Sequence, residues 1–235
     1  MKTLTLVVTY NEAANIGKLV PAILAALPGT DVLVVDDNSP DGTSRVVAEF
    51  AQHDPRVQSI CRTNERGYGS AMIAGLTHGI AHGYEAILTL DADFSHDPND
   101  LPRLLEALDG AEVAVGSRYC GGVRVLNWDV RRLLLSLAAN AYVRKLSGLA
   151  CIDCTSGFRA YRTRVFKRIN LSRIRTTGYA FLPELLFSLH LDHVAEVPIC
   201  YTERREGESK MSGRVITEAI MRPWGLFLKR LVGRG

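Results

Sequence analysis

Residues 86–96 read Ala-Ile-Leu-Thr-Leu-Asp-Ala-Asp-Phe-Ser-His. The first five are apolar or β-branched, which is typical of a buried strand, and Asp91 and Asp93 follow where that strand ends. Similar short runs precede and follow this one, and the segments between them are long enough for crossover helices. The sequence therefore predicts an α/β fold with a mostly parallel sheet and helices on both faces.

The alternation of strands and helices is clear only in the first half of the chain. Strands are predicted over residues 4–9, 31–35, 57–61, 86–90 and 112–116. Helices are predicted between them, over residues 14–27, 42–52, 70–82 and 99–108. Beyond residue 116 the sequence predicts helices over 130–146 and 181–190, a basic connector between them, and a strand over 194–201. A last helix over 215–232 is apolar and basic, and either lies on a membrane surface or packs on the protein's own core.

The charge distribution separates the two halves. The 235 residues are 47% hydrophobic and 23% charged with a net charge of +3, which excludes collagen, coiled coils and general disorder. Residues 1–115 carry 7 basic and 16 acidic side chains, whereas residues 116–175 carry 13 and 2. The acidic first part is expected to bind a cation, and the basic second part to bind phosphates, nucleic acid or an anionic membrane surface.

Several functional classes lack their sequence signals. No Gly-x-Gly-x-x-Gly opens the first helix and no Gly-Lys-Ser/Thr loop occurs, which argues against dinucleotide redox enzymes and P-loop hydrolases. Cys151 and Cys154 alone have a zinc-like or redox-like spacing, and without a second pair we expect them to pack in the core. The first residues resemble no signal peptide, and the uncharged stretch 67–84 holds five Gly and two His, so we expect a cytoplasmic protein.

Three acidic clusters follow predicted strands, at residues 9–12, 36–43 and 91–96. The carboxyl ends of parallel strands form the ligand-binding edge of such a sheet, so these clusters should converge. Asp91 and Asp93 could both turn toward one hard cation that keeps positions open for diphosphate oxygens, or could serve as a turn and capping pair. Asp36 and Asp37 suit a ribose hydroxyl or a base edge, and Asp41 suits a helix cap.

Taken together, these clusters resemble the family 2 glycosyltransferases of GT-A fold. Within that family the chain is similar to the dolichyl-phosphate (polyprenyl-phosphate) mannosyltransferases over nearly its whole length. The additional motifs that carry this similarity lie at residues 116–119, 127–136, 153–159 and 204–210.

The resemblance implies a donor site at the acidic clusters. Mg²⁺ or Mn²⁺ would bind Asp91 and Asp93 and bridge the diphosphate of GDP-mannose, with Asp93 also counted as catalytic. Ser95 stands where several bacterial relatives have Gln as a third metal ligand. The residues implied to bind the rest of the donor are Tyr10, Glu12, Asp36, Asp37 and Ala92.

The resemblance also implies an acceptor site for a polyprenyl or dolichyl phosphate. Arg118, Arg132 and Ser136 would hold the phosphate, the two arginines as catalytic groups. Adjacent helix residues point about 100° apart, so only one of Arg131 and Arg132 should face this site. Arg205 and Lys210 would close over the donor diphosphate from a Gly-containing loop.

The expected organisation is one domain, 1–235, with a nucleotide-sugar half (1–118), an acceptor half (119–212) and an amphipathic helix (213–235). We expect peripheral attachment to the cytoplasmic face of a membrane, directly or through a membrane-anchoring partner, and no nucleic-acid partner, since no such motif occurs. Another donor such as UDP-glucose, a hydroxyl acceptor, or a non-catalytic nucleotide-sugar-binding subunit remain alternatives. The role of Asp153 is left open between ordering the acceptor loop and ordering the arginines.

Overall fold

A computed structural model describes residues 1–174, 176, 178–191, 193–203 and 213–232, with the backbone alone for 213–216. The strands are β1 (Thr3–Thr9), β2 (Thr30–Asp36), β3 (Val57–Cys61), β4 (Ala86–Asp91), β5 (Val113–Ser117), β6 (Val125–Leu126), β7 (Arg159–Arg162), β8 (Ala195–Pro198) and β9 (Tyr201–Thr202). Seven of them form one sheet in the order β3-β2-β1-β4-β7-β5-β8, and β6 pairs with β9 in a separate parallel ribbon.

The helices are α1 (Ala13–Ala26), α2 (Thr43–His53), α3 (Tyr68–Ala81), α4 (Leu101–Glu106), α5 (Val130–Ser147), α6 (Phe181–Ser188) and α7 (Gly213–Leu231). The predicted helix over 99–108 is wrong in form, because 3₁₀ turns at Pro98–Asp100 and Ala107–Asp109 flank a short α4. Pro102 lacks the N–H group that a continuous helix over these residues would bond to the Pro98 carbonyl. Among the described helices, none combines the length and the apolar character needed to cross a membrane.

The parallel strands β1 to β4 bring the acidic clusters to one edge of the sheet. Thr9 at the end of β1 is in register with Asp36 at the end of β2, and Asp36 with Cys61 at the end of β3. On the other side of β1, Val8 is in register with Asp91. The convergence predicted from the sequence is therefore confirmed.

Strand β7 departs from the prediction. It lies between β4 and β5 and is antiparallel to both, although its residues 159–162 were expected to be part of a basic connector. The predicted boundary at residue 118 between a donor half and an acceptor half therefore does not divide the sheet, because β7 comes from the second half and lies between two strands of the first. The predicted strand 194–201 is also two strands, with β8 in the main sheet and β9 in the ribbon.

Two hydrophobic cores lie on the two faces of the sheet, because successive strand residues point to opposite sides. Leu4, Leu6 and Leu33 contribute to the core that includes α3 and α6. Val7 and Val34 contribute to the core that includes α1, α2 and α4.

The cysteine prediction holds in the second half of the chain. Cys151 and Cys154 are free, buried thiols within the first of these cores. Burial raises the pKa of Cys154 to about 12, which keeps the thiol protonated and unreactive at pH 7.

Helix α7 is anchored to the body of the protein through α6 and α5. Glu184, a buried residue of α6, accepts a hydrogen bond from Arg222 Nε at 2.9 Å and pairs with its Nη2. The Tyr142 hydroxyl of α5 donates to the Ile220 carbonyl at 2.7 Å. These contacts fix the position of α7 without covering its whole apolar surface.

Candidate active site

The carboxylates after β2 organise their own loops. Asp36 accepts a hydrogen bond from the Ser39 N–H at 3.1 Å and from the hydroxyls of Ser39 and Ser44. Asp37 accepts from Arg62 Nε at 2.7 Å and from the Gly67 N–H at 2.8 Å. Both aspartates are buried. They therefore shape the loops at this edge before any ligand arrives.

Asp41 caps two helices at once. Its carboxylate accepts from the Thr43 N–H at 3.0 Å, as predicted for a cap of α2, and also from the Ala13 N–H of α1 at 2.9 Å. Burial raises its pKa, but the hydrogen bonds from Thr43 and Ala13 outweigh that effect and hold the pKa below 3.8. Glu12 is buried beside this cap, where its N–H donates to Thr43 Oγ1 at 3.1 Å.

Two arginines after β3 join this edge, and sequence reasoning missed both. Arg62 pairs with Asp37, and the Arg66 guanidinium lies 4.8 Å from the ring centroid of Tyr10. The available signal was their position: of the seven basic residues in 1–115, Arg62 directly follows β3 and Arg66 lies in the same loop, five residues after the strand ends. Tyr10 is half-buried at the carboxyl end of β1.

Asp91 ends β4 and Asp93 follows two residues later, and both side chains are partly exposed. The Asp91 side chain is 30% exposed, and Asp93 Oδ1 accepts from the Ser95 N–H at 3.1 Å. Ala92 between them packs into the core beneath. The described residues hold no group of three or more Asp, Glu, His or Cys side chains that could bind a metal alone. Two carboxylates suit a hard divalent cation whose remaining ligands come from a substrate or water.

Ser95 is buried behind these aspartates. Its Oγ lies beside the Tyr201 phenol and makes no hydrogen bond of normal geometry within the described chain. Nothing in this arrangement tests the third-ligand role predicted for Ser95, which stays a prediction.

His96 holds the backbone of Asp91. Its Nδ1 accepts a hydrogen bond from the Asp91 N–H at 3.2 Å, so the ring proton is on Nε2. Burial lowers the pKa of His96 to about 4, which leaves the imidazole neutral at pH 7. The ring stacks on Phe158 at 4.9 Å and meets Tyr201 edge-on at 5.4 Å.

Arg118 is held by a buried carboxylate. Asp153, which is fully buried, accepts from Arg118 Nε at 2.7 Å and from Nη2 at 2.6 Å. Asp153 also accepts from the Arg118 N–H at 2.9 Å. Asp153 therefore orders Arg118, and it also accepts from the Thr155 hydroxyl at 3.4 Å within its own loop. Two of the three guanidinium nitrogens of Arg118, the residue predicted to hold the acceptor phosphate, are therefore already engaged.

Arg132 lies on the first turn of α5, at the face of Trp128. Its guanidinium is 4.5 Å from the Trp128 ring centroid, and that of Arg118 is 5.8 Å from the same ring. Arg132 also pairs with Glu203, whereas Arg131 is exposed. Of the two adjacent arginines, Arg132 is the one that lies against Trp128, and its role at an acceptor phosphate stays a prediction.

Ser136, one turn further along α5, completes a hydrogen-bonded group around Arg118. Its hydroxyl is 2.6 Å from the Tyr119 hydroxyl, and the Arg118 guanidinium lies 5.1 Å from the Tyr119 ring centroid. Thr155 accepts from Arg118 Nη2 at 2.8 Å. We call Arg118, Trp128, Arg132 and Ser136 the arginine site, and Glu12, Asp36, Asp37, Asp91 and Asp93 the acidic edge.

Tyr201 lies beside both of these groups, and no sequence pattern indicated it. Burial raises the pKa of Tyr201, the carboxylates of Asp91 and Asp93 raise it further, and Arg118 opposes them. The Tyr201 phenol therefore interacts electrostatically with carboxylates of the acidic edge and with an arginine of the arginine site. The predicted residues Arg205 and Lys210 lie outside the described residues.

Comparison with known sequences assigns the family. Residues 5–169 match the sequence profile described as Glycosyl transferase family 2. The chain belongs to this family. A family 2 relative, polyprenol monophosphomannose synthase of Mycolicibacterium smegmatis, is 45% identical over 231 residues, 96% of this chain and 87% of the relative. Undecaprenyl-phosphate mannosyltransferase of Micrococcus luteus is 41% identical, over 96% of this chain and 95% of the relative.

Solved structures confirm the predicted GT-A fold of this family 2 protein. Glucosyl-3-phosphoglycerate synthase from Mycobacterium tuberculosis, in complex with Mn²⁺, UDP and glucosyl-3-phosphoglycerate, superposes with a TM-score of 0.68 at 19% identity. The match covers 95% of this chain and 80% of that one. Another structure of the same enzyme contains Mg²⁺ and UDP and gives a TM-score of 0.69 at 19% identity.

Proposed function

We propose that this protein transfers mannose from GDP-mannose to a polyprenyl or dolichyl phosphate, with inversion at the anomeric carbon. The relatives at 41–45% identity are mannosyltransferases that act on polyprenyl phosphates, by their names. The observation that carries the proposal is the presence of two arginines, Arg118 and Arg132, at the ring of Trp128, together with two partly exposed carboxylates after β4. A phosphate acceptor needs the first feature and a nucleotide diphosphate donor needs the second.

The acidic edge would bind the donor. Asp91 and Asp93 would hold Mg²⁺ or Mn²⁺, with Ser95 as a weaker third ligand, and Asp93 would also be a catalytic residue. When bound, the cation supplies positive charge that stabilises the departing diphosphate. Tyr10, Glu12, Asp36, Asp37 and Ala92 would bind the remainder of GDP-mannose, with the loop carboxylates acting largely through the shape they impose.

The arginine site would bind the acceptor phosphate. Arg132 and Ser136 are half-buried on one face of α5 and reachable from solvent. Arg118, which is more deeply buried, would contribute its positive charge and its Nη1, the guanidinium nitrogen that does not bind Asp153. Guanidinium groups bind phosphate oxygens through paired, charge-assisted hydrogen bonds, so two of them at one aromatic ring form a strong phosphate site.

The acceptor does not require a general base. A phosphate monoester has a second pKa near 6 and is largely a dianion at pH 7, so its oxygen is already a nucleophile. Asp153 is the carboxylate nearest to Arg118, but both of its oxygens are bound to that arginine in the interior. The protein's contribution is to place the phosphate oxygen in line with the anomeric carbon, and one direct displacement gives a β-mannosyl phosphate.

Membrane attachment would use the apolar side chains that α5 and α7 expose. These exposed side chains are Val130, Leu134, Leu135, Ile220, Met221, Trp224, Leu228 and Leu231. Lys229 and Arg230 lie in the last turn of α7, and a basic, apolar helix suits the surface of an anionic membrane. We propose peripheral binding at the cytoplasmic face, which a membrane-anchoring partner protein would strengthen.

The test measures lipid-extractable sugar formed by the purified protein from polyprenyl phosphate and GDP-mannose, UDP-glucose or UDP-GlcNAc. Each donor is assayed with Mg²⁺, with Mn²⁺ and with EDTA. The proposal expects product from GDP-mannose alone, abolished by EDTA, with a β linkage. An α-linked product would contradict direct displacement. Binding of GDP-mannose without transfer to any lipid phosphate would favour the non-catalytic alternative.

A further inference from the structure

The guanidinium of Arg132 already forms an ion pair with Glu203 in this structure. The Glu203 carboxylate pairs with Arg132 Nη1, and the two side chains are 37% and 38% exposed. The other pair of the arginine site is different in kind, since the side chain of Asp153 is fully buried against Arg118. An anion from solution can therefore compete with Glu203 but not with Asp153.

The two partners are held by separate elements, 71 residues apart in sequence. The ribbon of β6 and β9 positions Glu203, whose N–H donates to the Leu126 carbonyl at 3.3 Å. The first turn of α5 positions Arg132, whose N–H donates to the Asp129 carboxylate at 2.8 Å. Hydrogen bonds of two separate backbone segments thus hold Glu203 and Arg132 within reach of one another.

We propose that Glu203 is an internal competitor of the acceptor phosphate at Arg132. Carboxylate and phosphate oxygens use the same fork of guanidinium N–H donors, so both cannot be fully bound to Arg132 at once. Trp128 keeps the guanidinium plane oriented at 4.5 Å when the carboxylate leaves. The inference rests on the proposed function, which makes Arg132 a ligand of the acceptor phosphate.

The competition lowers the affinity of Arg132 both for the acceptor phosphate before transfer and for the product phosphate after it. Exposed ion pairs contribute free energies that correspond to at most about a fivefold change in an equilibrium constant. Glu203 therefore weakens binding of the acceptor only modestly, while it excludes weakly bound anions from Arg132. After transfer, the phosphate of the product is a diester with a single negative charge, and the return of Glu203 to Arg132 assists its release.

The test uses the fluorescence of Trp128. The chain has two tryptophans, and Trp224→Phe replaces the exposed one on α7, so that Trp128 becomes the only tryptophan whose emission is followed. In this background farnesyl phosphate is titrated into the protein and into its Glu203→Gln and Arg132→Gln variants. We expect Glu203→Gln to lower the Kd for farnesyl phosphate about two- to fivefold and Arg132→Gln to raise it.

A matched control is Glu112→Gln. Glu112 pairs with Arg164 at 3.1 Å and with Arg168 at 2.7 Å, and it precedes β5 at the opposite edge of the sheet. Its loss removes a similar exposed carboxylate and should leave the Kd unchanged. A steady-state assay should show a lower KM for the acceptor in Glu203→Gln without a rise in kcat.

The outcomes separate the inference from the proposed function. If Glu203→Gln binds farnesyl phosphate equally or more weakly while Arg132→Gln weakens binding, Glu203 is a structural partner of Arg132 and the inference is wrong. An equal gain in affinity from Glu112→Gln would show a general charge effect and would also overturn it. If Arg132→Gln has no effect on the Kd, the proposed acceptor site itself is wrong.

Discussion

The acidic edge and the arginine site hold their charged side chains in different ways. At the acidic edge, Asp36 and Asp37 are bound by backbone N–H groups, serines and one arginine from the loops that surround them. At the arginine site, Arg118 and Arg132 are bound by carboxylates 35 and 71 residues away. The partners of Asp36 lie within eight residues of it, and those of Asp37 lie 25 and 30 residues away in the loop after the neighbouring strand β3. The arginine site instead joins segments that are farther apart in the sequence.

The largest expected effect is on the acidic edge. Asp91→Asn removes one of the two solvent-accessible carboxylates after β4, and we expect kcat to fall about a thousandfold, or about 4 kcal/mol. Sugar transfer to polyprenyl phosphate at saturating substrates and metal measures it. Asp109→Asn is the control, because Asp109 is a highly exposed carboxylate whose ion pair with Arg162 lies away from β4's carboxyl end. Retention of more than a tenth of the activity in Asp91→Asn would contradict the assigned donor site.

The second prediction concerns the buried pair of the arginine site. Asp153→Asn leaves the Arg118 guanidinium without its counter-charge, and we expect the free energy of unfolding to fall by about 3 kcal/mol. Urea denaturation measures this loss. Asp109→Asn breaks an exposed ion pair with Arg162 and should cost less than about 0.5 kcal/mol. Loss of turnover with normal stability in Asp153→Asn would instead indicate a general base.

Arg131 and Arg132 offer a comparison within the arginine site. Arg132→Lys removes the planar guanidinium from Trp128, and we expect the KM for polyprenyl phosphate to rise about tenfold, since Lys cannot bind phosphate through a fork. Arg131→Lys, one residue away on the exposed side of α5, should stay within about twofold. Equal effects of the two substitutions would mean that the general basic charge of α5 binds the acceptor.

The smallest expected effect lies in the local capping of the acidic edge. Asp41→Ala removes the acceptor shared by the N–H groups of Thr43 and Ala13, and should lower the free energy of unfolding by about 1 kcal/mol at pH 7. The pKa of Asp41 in the folded protein is below 3.8, so this stabilisation is present above that pH and is lost as pH falls through the folded pKa.

Denaturation at pH 7 and at successively more acidic pH measures this difference for Asp41. The gap between wild type and Asp41→Ala should narrow as the pH falls. Asp41→Asn keeps an acceptor oxygen and should show a smaller loss that does not depend on pH at this position. A gap that widens in acid would contradict the capping role.

The same comparison explains which features the sequence could predict. The strands β1 to β4 and the aspartates after them follow from residue alternation and from the shared edge of parallel strands. Strand β7 does not, because Arg159 and Arg162 give it the composition of a surface connector. Arg159 is fully buried, and its guanidinium donates to the carbonyls of Cys154 at 2.7 Å and Leu182 at 2.8 Å. A local sequence pattern cannot predict that backbone carbonyls of other segments will accept hydrogen bonds from a buried arginine.

The arginine site was predicted in its residues but not in its pairings. Arg118, Arg132 and Ser136 were named from family resemblance, and the structure brings them together around Trp128 and Tyr119. Their partners Asp153 and Glu203 come from other elements, and Tyr201 comes from a two-residue strand. Such contacts depend on tertiary packing, which a single sequence does not display.

The place of β7 in the sheet has a consequence for how the protein is made. On the ribosome, β5 emerges well before residues 159–162, and it forms hydrogen bonds with β7 and β8, both of which are translated later. At ordinary elongation rates this leaves β5 and one edge of β4 without partners for several seconds. Exposed strand edges promote aggregation. During this interval the nascent chain is therefore most prone to aggregate, and chaperone binding to β4 and β5 would protect it most.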